Sequence, residues 1–90
     1  MNEELTANIV KSIRAYDFES AQKAIAELFA LDMGSSKPHL YLGIIHELKG
    51  GKGEAMRHFR AALALVGSDQ VVLYNLYRLG DESKLPIRFE

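Results

Sequence analysis

Apolar residues recur at helical spacing along almost the whole chain. Leu5, Ile9, Ile13 and Tyr16 fall at i, i+4, i+8 and i+11, which is one stripe of an amphipathic helix. Asp17 follows as an N-cap, and Ala21, Ala24, Ile25, Leu28 and Leu31 mark a second helix of similar length. The run Gly34-Ser35-Ser36-Lys37-Pro38 breaks the pattern. Ser36 is expected to cap a third helix, with Pro38 in its first turn, where no intrahelical donor is lost. That third segment, Leu40 to Leu48, is apolar on nearly every side, which predicts packing on more than one face and a central position. Gly50-Gly51-Lys52-Gly53 predicts a tight reversal, since glycine supplies the positive φ that helix ends favour. A fourth helix then turns Ala55, Met56, Phe59, Ala62, Leu63 and Val66 inward. Gly67-Ser68-Asp69 stops it and caps a fifth helix, Val71 to Leu79, which Gly80 ends. Residues 81–90 have no helical period, and Pro86 pushes Leu85 towards an extended conformation. They are expected to form an irregular C-terminal tail with Leu85, Ile87 and Phe89 docked on the last helix.

Self-comparison adds a repeat. Ala21 and Ala55, Ile25 and Phe59, Phe29 and Leu63, Ala30 and Ala64, and Leu31 and Leu65 are all spaced by 34 residues. That is the period of tetratricopeptide repeats. Residues 36–69 resemble one full repeat of that family. His39 stands where the family favours tryptophan, Leu42-Gly43 matches its Leu-Gly pair, and Ala55, Phe59 and Ala62 match its small–aromatic–small series. Residues 2–35 resemble a weaker copy through Ala21, Ile25 and Leu28, with Ile9 in place of the glycine. Leu73-Tyr74-Asn75-Leu76 resembles the opening of a third. The usual terminal proline is replaced by Met33 and Gly67, and Gly51 stands where the family prefers a capping aspartate or asparagine. The resemblance implies an all-α fold, a right-handed array of five antiparallel helices in helical hairpins (an α-α superhelix). It would occupy residues 1–80 as a single domain, with repeats at about 2–35 and 36–69 and a closing helix at 70–79. Glycine on the first helix of a hairpin, facing alanine on the second, would let the two approach closely.

Length and charge narrow the function. Ninety residues suit one domain, and a chain of this size buries roughly 60–65% of its surface. There is no cysteine, which removes disulfide staples, thiolate metal sites and thiol nucleophiles together. A net charge of −1 provides no field to recruit nucleic acid or a membrane surface. The acidic start Asn2-Glu3-Glu4 is unlike a secretory signal, and no apolar run approaches the roughly 18 residues needed to span a bilayer. A cytoplasmic protein is expected.

The resemblance also implies where a ligand would sit, because the first helix of each hairpin lines the concave side of such an array. Carrying the family's groove positions over gives Thr6, Val10 and Arg14 from the first helix, and Leu40, Tyr41, Ile44 and Leu48 from the third. Tyr74, Asn75 and Arg78 come from the fifth. For the apolar members the alternative is ordinary core. At the positions where some family members clamp an acidic C-terminus, this chain has Thr6, Val10, Tyr41, Val71 and Asn75. Only Asn75 fits, so a strip of apolar residues is the better-matched ligand. The expected function is a scaffold or adaptor that binds a peptide or helix of another protein, with a homodimer closing the groove as the competing reading.

Catalytic and metal chemistry is not expected, and no cofactor is implied. His39 and His46 are seven apart, two turns along one helix, whereas zinc helices space the pair by four. The Gly50–Gly53 turn follows a helix rather than a strand and is followed by Glu54, unlike a phosphate loop. The carboxylate pairs Glu3/Glu4, Asp17/Glu19 and Asp81/Glu82 lie at helix starts or in the tail, where acids complement the helix dipole or are simply solvated. Lys52, Arg57, His58 and Arg60 read as a solvated helix face beside Glu54.

Overall fold

A computed structural model describes residues 2–90. Among them, five α-helices succeed one another: α1 (Asn2–Arg14), α2 (Phe18–Leu31), α3 (Lys37–Leu48), α4 (Lys52–Leu65) and α5 (Gln70–Gly80). No strand occurs among the described residues. Each helix packs mainly on its neighbour in sequence, and α3 also reaches α1. As its all-round apolarity predicts, α3 is the most enclosed helix, burying Pro38, Leu40, Tyr41, Gly43, Ile44 and Ile45. None of the described helices is long and apolar enough to cross a membrane.

The 34-residue period is present in the backbone as well as in the sequence. The N-caps of α2 and α4 are Asp17 (φ −89°, ψ 74°) and Gly51 (φ −91°, ψ 72°), 34 residues apart with the same conformation. The C-caps, Asp32 and Val66, are again 34 apart and again alike. Burial repeats too: Ala21/Ala55, Ile25/Phe59 and Leu28/Ala62 are all in the core, while Leu31 and Leu65 are both exposed. Five packed helices with this internal period are compatible with a helical repeat.

Several local expectations need correcting. Tyr16 does not complete the α1 stripe, because the helix ends at Arg14 and Tyr16 takes a left-handed φ of 59° with its ring mostly exposed. Ser36 makes no capping bond to α3. Its hydroxyl donates instead to Asp69 Oδ2 at 2.5 Å. The other oxygen of Asp69 accepts from the N–H groups of Val71 and Val72, so one carboxylate caps α5 and ties it to the start of α3. The atoms nearest to Gly43 belong to Phe59 and not to an alanine. A Cβ added there would stand 2.5 Å from Cε1 of Phe59, so the glycine makes room for that ring. Val66 and Leu85 are exposed rather than packed. The reversal at Gly50 is as expected, with φ +86°.

Candidate peptide-binding groove

Residues 86–90 run from α5 towards α1 and end at a cavity between α1 and α3. Tyr74, on α5, donates its hydroxyl to the Pro86 carbonyl at 2.7 Å. The adjacent Asn75 grips the next stretch of main chain from both sides. Its Nδ2 donates to the Arg88 carbonyl at 2.8 Å, and its Oδ1 accepts from the Arg88 N–H at 3.1 Å. A third bond, from Nδ2 to the Val71 carbonyl, fixes the orientation of this fully buried amide. Ile87 and Phe89 pack against the hydrophobic core while Arg88 faces outward, the two-residue alternation of an extended strand. Arg88 lays its guanidinium 5.3 Å from the Tyr74 ring centre and donates to the Glu90 carbonyl. Arg14 lies 4.6 Å from the centre of the Phe89 ring.

Beyond Phe89 the groove stays open, forming a cavity of about 580 Å³ between α1 and α3. It is lined by Thr6, Ala7, Val10 and Tyr41, by the charged Glu3, Lys11, Arg14 and Lys37, and by Phe89 and Glu90. Burial pushes the Tyr41 phenol above its ordinary value, and the negative charge of Glu90 adds to the effect.

The ten expected groove residues therefore divide by location. Thr6, Val10, Arg14 and Tyr41 line the open cavity, and Tyr74 and Asn75 hold residues 86–88. Leu40, Tyr41 and Ile44 are 2%, 2% and 0% exposed and belong to the core, the alternative already open for the apolar positions, with Tyr41 also edging the cavity. Leu48 is half-buried against the same core. Arg78 is buried and pairs with Glu47 at 2.5 Å, so its charge faces inward rather than into the groove. Lys11 and Lys37 also line the cavity, although no sequence motif singles them out. They stand beside the family positions rather than on them, and only the three-dimensional arrangement gathers them with Arg14.

A second cluster lies between α3 and α4. His39 and His46 are far apart along α3, but His58 of α4 inserts between them. Its Nδ1 is 3.2 Å from His39 Nδ1, and its ring stacks on those of both partners. Phe29 meets the His39 ring edge-on. His46, Glu54 and His58 have ligand atoms within 4.8 Å of one another. The Glu54 carboxylate is taken by Arg57, however, and the His46 and His58 rings lie nearly parallel. The geometry is that of an imidazole stack.

Burial holds His58 below its ordinary value of 6.5, with His46 and His39 adding to the depression and Glu54 opposing it. Unfolding frees the ring to take up a proton, so the stack's contribution is fully present above pH 6.5 and is lost as pH falls through the depressed value. Urea midpoints should therefore drop as pH is lowered from about 7.5 towards about 5. In His58→Gln this component of the pH dependence should be absent.

No protein family, curated protein or solved structure matches the chain.

Proposed function

We propose that the chain is a tetratricopeptide-like interaction module, not an enzyme, that holds an extended segment of another polypeptide across α1, α3 and α5. One observation carries this reading: the two-sided hydrogen bonding of Asn75 to the main chain of residue 88. A buried amide that pairs with both the N–H and the C=O of a single residue recognises a strand independently of its side chains, as β-strand addition does. The remaining walls offer apolar contact and a charged rim, the usual division of labour at a binding surface. A helical ligand fits less well, because its N–H and C=O groups are already paired along its own axis.

Selection of a random extended-peptide library on the full chain tests the proposal. Ligands should emerge whose binding weakens about tenfold in Asn75→Ala, in line with the loss of two buried hydrogen bonds. Helix-stabilised ligands that ignore the Asn75→Ala change would count against it. Self-association through the groove remains the competing use, and it would show as a dimer in sedimentation at micromolar concentration.

A further inference from the structure

Residues 86–90 make the contacts of a ligand while belonging to the same chain. The helices do not depend on them for their boundaries, since α5 is already closed by backbone bonds from Asp81 to Tyr77 and from Ser83 to Arg78. Between α5 and the groove, residues 84–86 are exposed, and Glu82 turns the chain with a left-handed φ of 54°. The segment is held by hydrogen bonds from Tyr74 and Asn75 to its main chain, with Ile87 and Phe89 packed inward and Arg88 left outside.

Resting on the groove reading above, we propose that residues 86–90 are an intramolecular stand-in for a partner strand of the same pattern. That pattern is a branched aliphatic, an outward-facing residue, an aromatic and then acidic residues. The aliphatic and aromatic positions are set by Ile87 and Phe89, which pack on the core. The aromatic is favoured further by Arg14 lying against its ring. The acidic extension rests on charge complementarity. The cavity beside Phe89 is lined by Lys11, Arg14 and Lys37 against Glu3, and Glu90 is the acid that the chain itself already sets among these cations. A partner segment of this pattern would occupy that cavity with its acids and displace residues 86–90.

Competition within the chain makes a quantitative expectation, because apparent affinity is reduced by the fraction of molecules whose groove is open. The test uses the full chain, its Arg88→Pro variant and a fluorescent peptide. The peptide carries residues 84–90 followed by two aspartates. Arg88→Pro removes the N–H that Asn75 accepts from and touches no core side chain. A second variant, Ile87→Ser with Phe89→Ser, empties the groove by another route, and far-UV circular dichroism verifies that each remains helical. Both variants should bind the peptide at least about tenfold more tightly than the unmodified chain. A peptide with proline at the position of Arg88 should bind neither variant.

Equal affinity for the unmodified chain and both helical variants would overturn intramolecular competition. Equal binding of a scrambled peptide would overturn the proposed pattern while leaving strand binding itself intact. Failure of both variants to bind the library ligands as well as this peptide would remove the groove reading too. A dimer that becomes monomeric in Arg88→Pro would place the strand in a second copy and overturn its intramolecular form.

Discussion

Phe59→Ala is expected to destabilise the protein by about 3–5 kcal/mol, a large share of the roughly 5–15 kcal/mol that keeps a domain folded. The ring is fully buried on α4, and its edge lies where any side chain at position 43 of α3 would have to go. Truncation would open a void at the centre of the helix pair, and the neighbouring residues, themselves fully buried, have little room to collapse into it. The reciprocal change is a sharper test. Gly43→Ala normally favours a helix by about 1 kcal/mol. Here the new methyl would meet Cε1 and Cδ1 of Phe59 at 2.5 and 2.7 Å, and overpacking of this kind costs about 1–3 kcal/mol. Combining Gly43→Ala with Phe59→Leu should recover part of the loss, giving a coupling of about 1 kcal/mol or more in a double-mutant cycle measured by urea unfolding. Strict additivity would show that the glycine is not there to admit the ring.

The second large effect is expected at Glu47. Its carboxylate pairs with Arg78 across the α3–α5 contact, with side chains only 16% and 6% exposed. Arg78 Nε has no partner of its own, so Glu47 is the one acid seen to answer this buried guanidinium among the described residues. Glu47→Ala should cost about 3–5 kcal/mol, because it leaves a buried cation uncompensated, whereas an exposed ion pair contributes at most about 1 kcal/mol. The exposed pair Lys23–Glu19 provides the contrast: Glu19→Ala should change stability by less than about 0.5 kcal/mol. Replacing Glu47 and Arg78 together with leucine and methionine should be far milder than Glu47→Ala alone, since neither charge is then stranded. Thermal unfolding of the three variants separates these cases.

Helices were legible because their signals are local. Apolar spacing and the punctuation at Asp17, Gly50 and Asp69 depend only on nearby residues, and all five helices lie within a few residues of where the pattern puts them. The 34-residue period was legible for the same reason, since it appears as matched residue types. What could not be read was any property set by two distant segments. Arg78 carries no sign in sequence that it turns inward to Glu47, which lies 31 positions away. The three histidines look scattered until α4 is laid against α3. Asn75 could be carried over as a groove residue, but the identity of its ligand, the main chain of residue 88, depends on a segment without periodicity folding back. Pattern could suggest that Ile87 and Phe89 are docked, yet the hydrogen bonds that hold the strand come from main-chain groups that nearly every residue possesses.

The grip of Asn75 has one more consequence. Because the amide pairs only with backbone atoms, the energy of holding a strand and the choice of which strand to hold reside in different residues. On the proposed reading, position 88 would tolerate any residue that keeps an N–H, while Arg14, Tyr41 and Lys37 would select the residues beyond it. The proposed groove would then be a general anchor beside a rewritable reader. Exchanging the cations at its open end for acids should redirect it towards basic sequences without rebuilding the anchor.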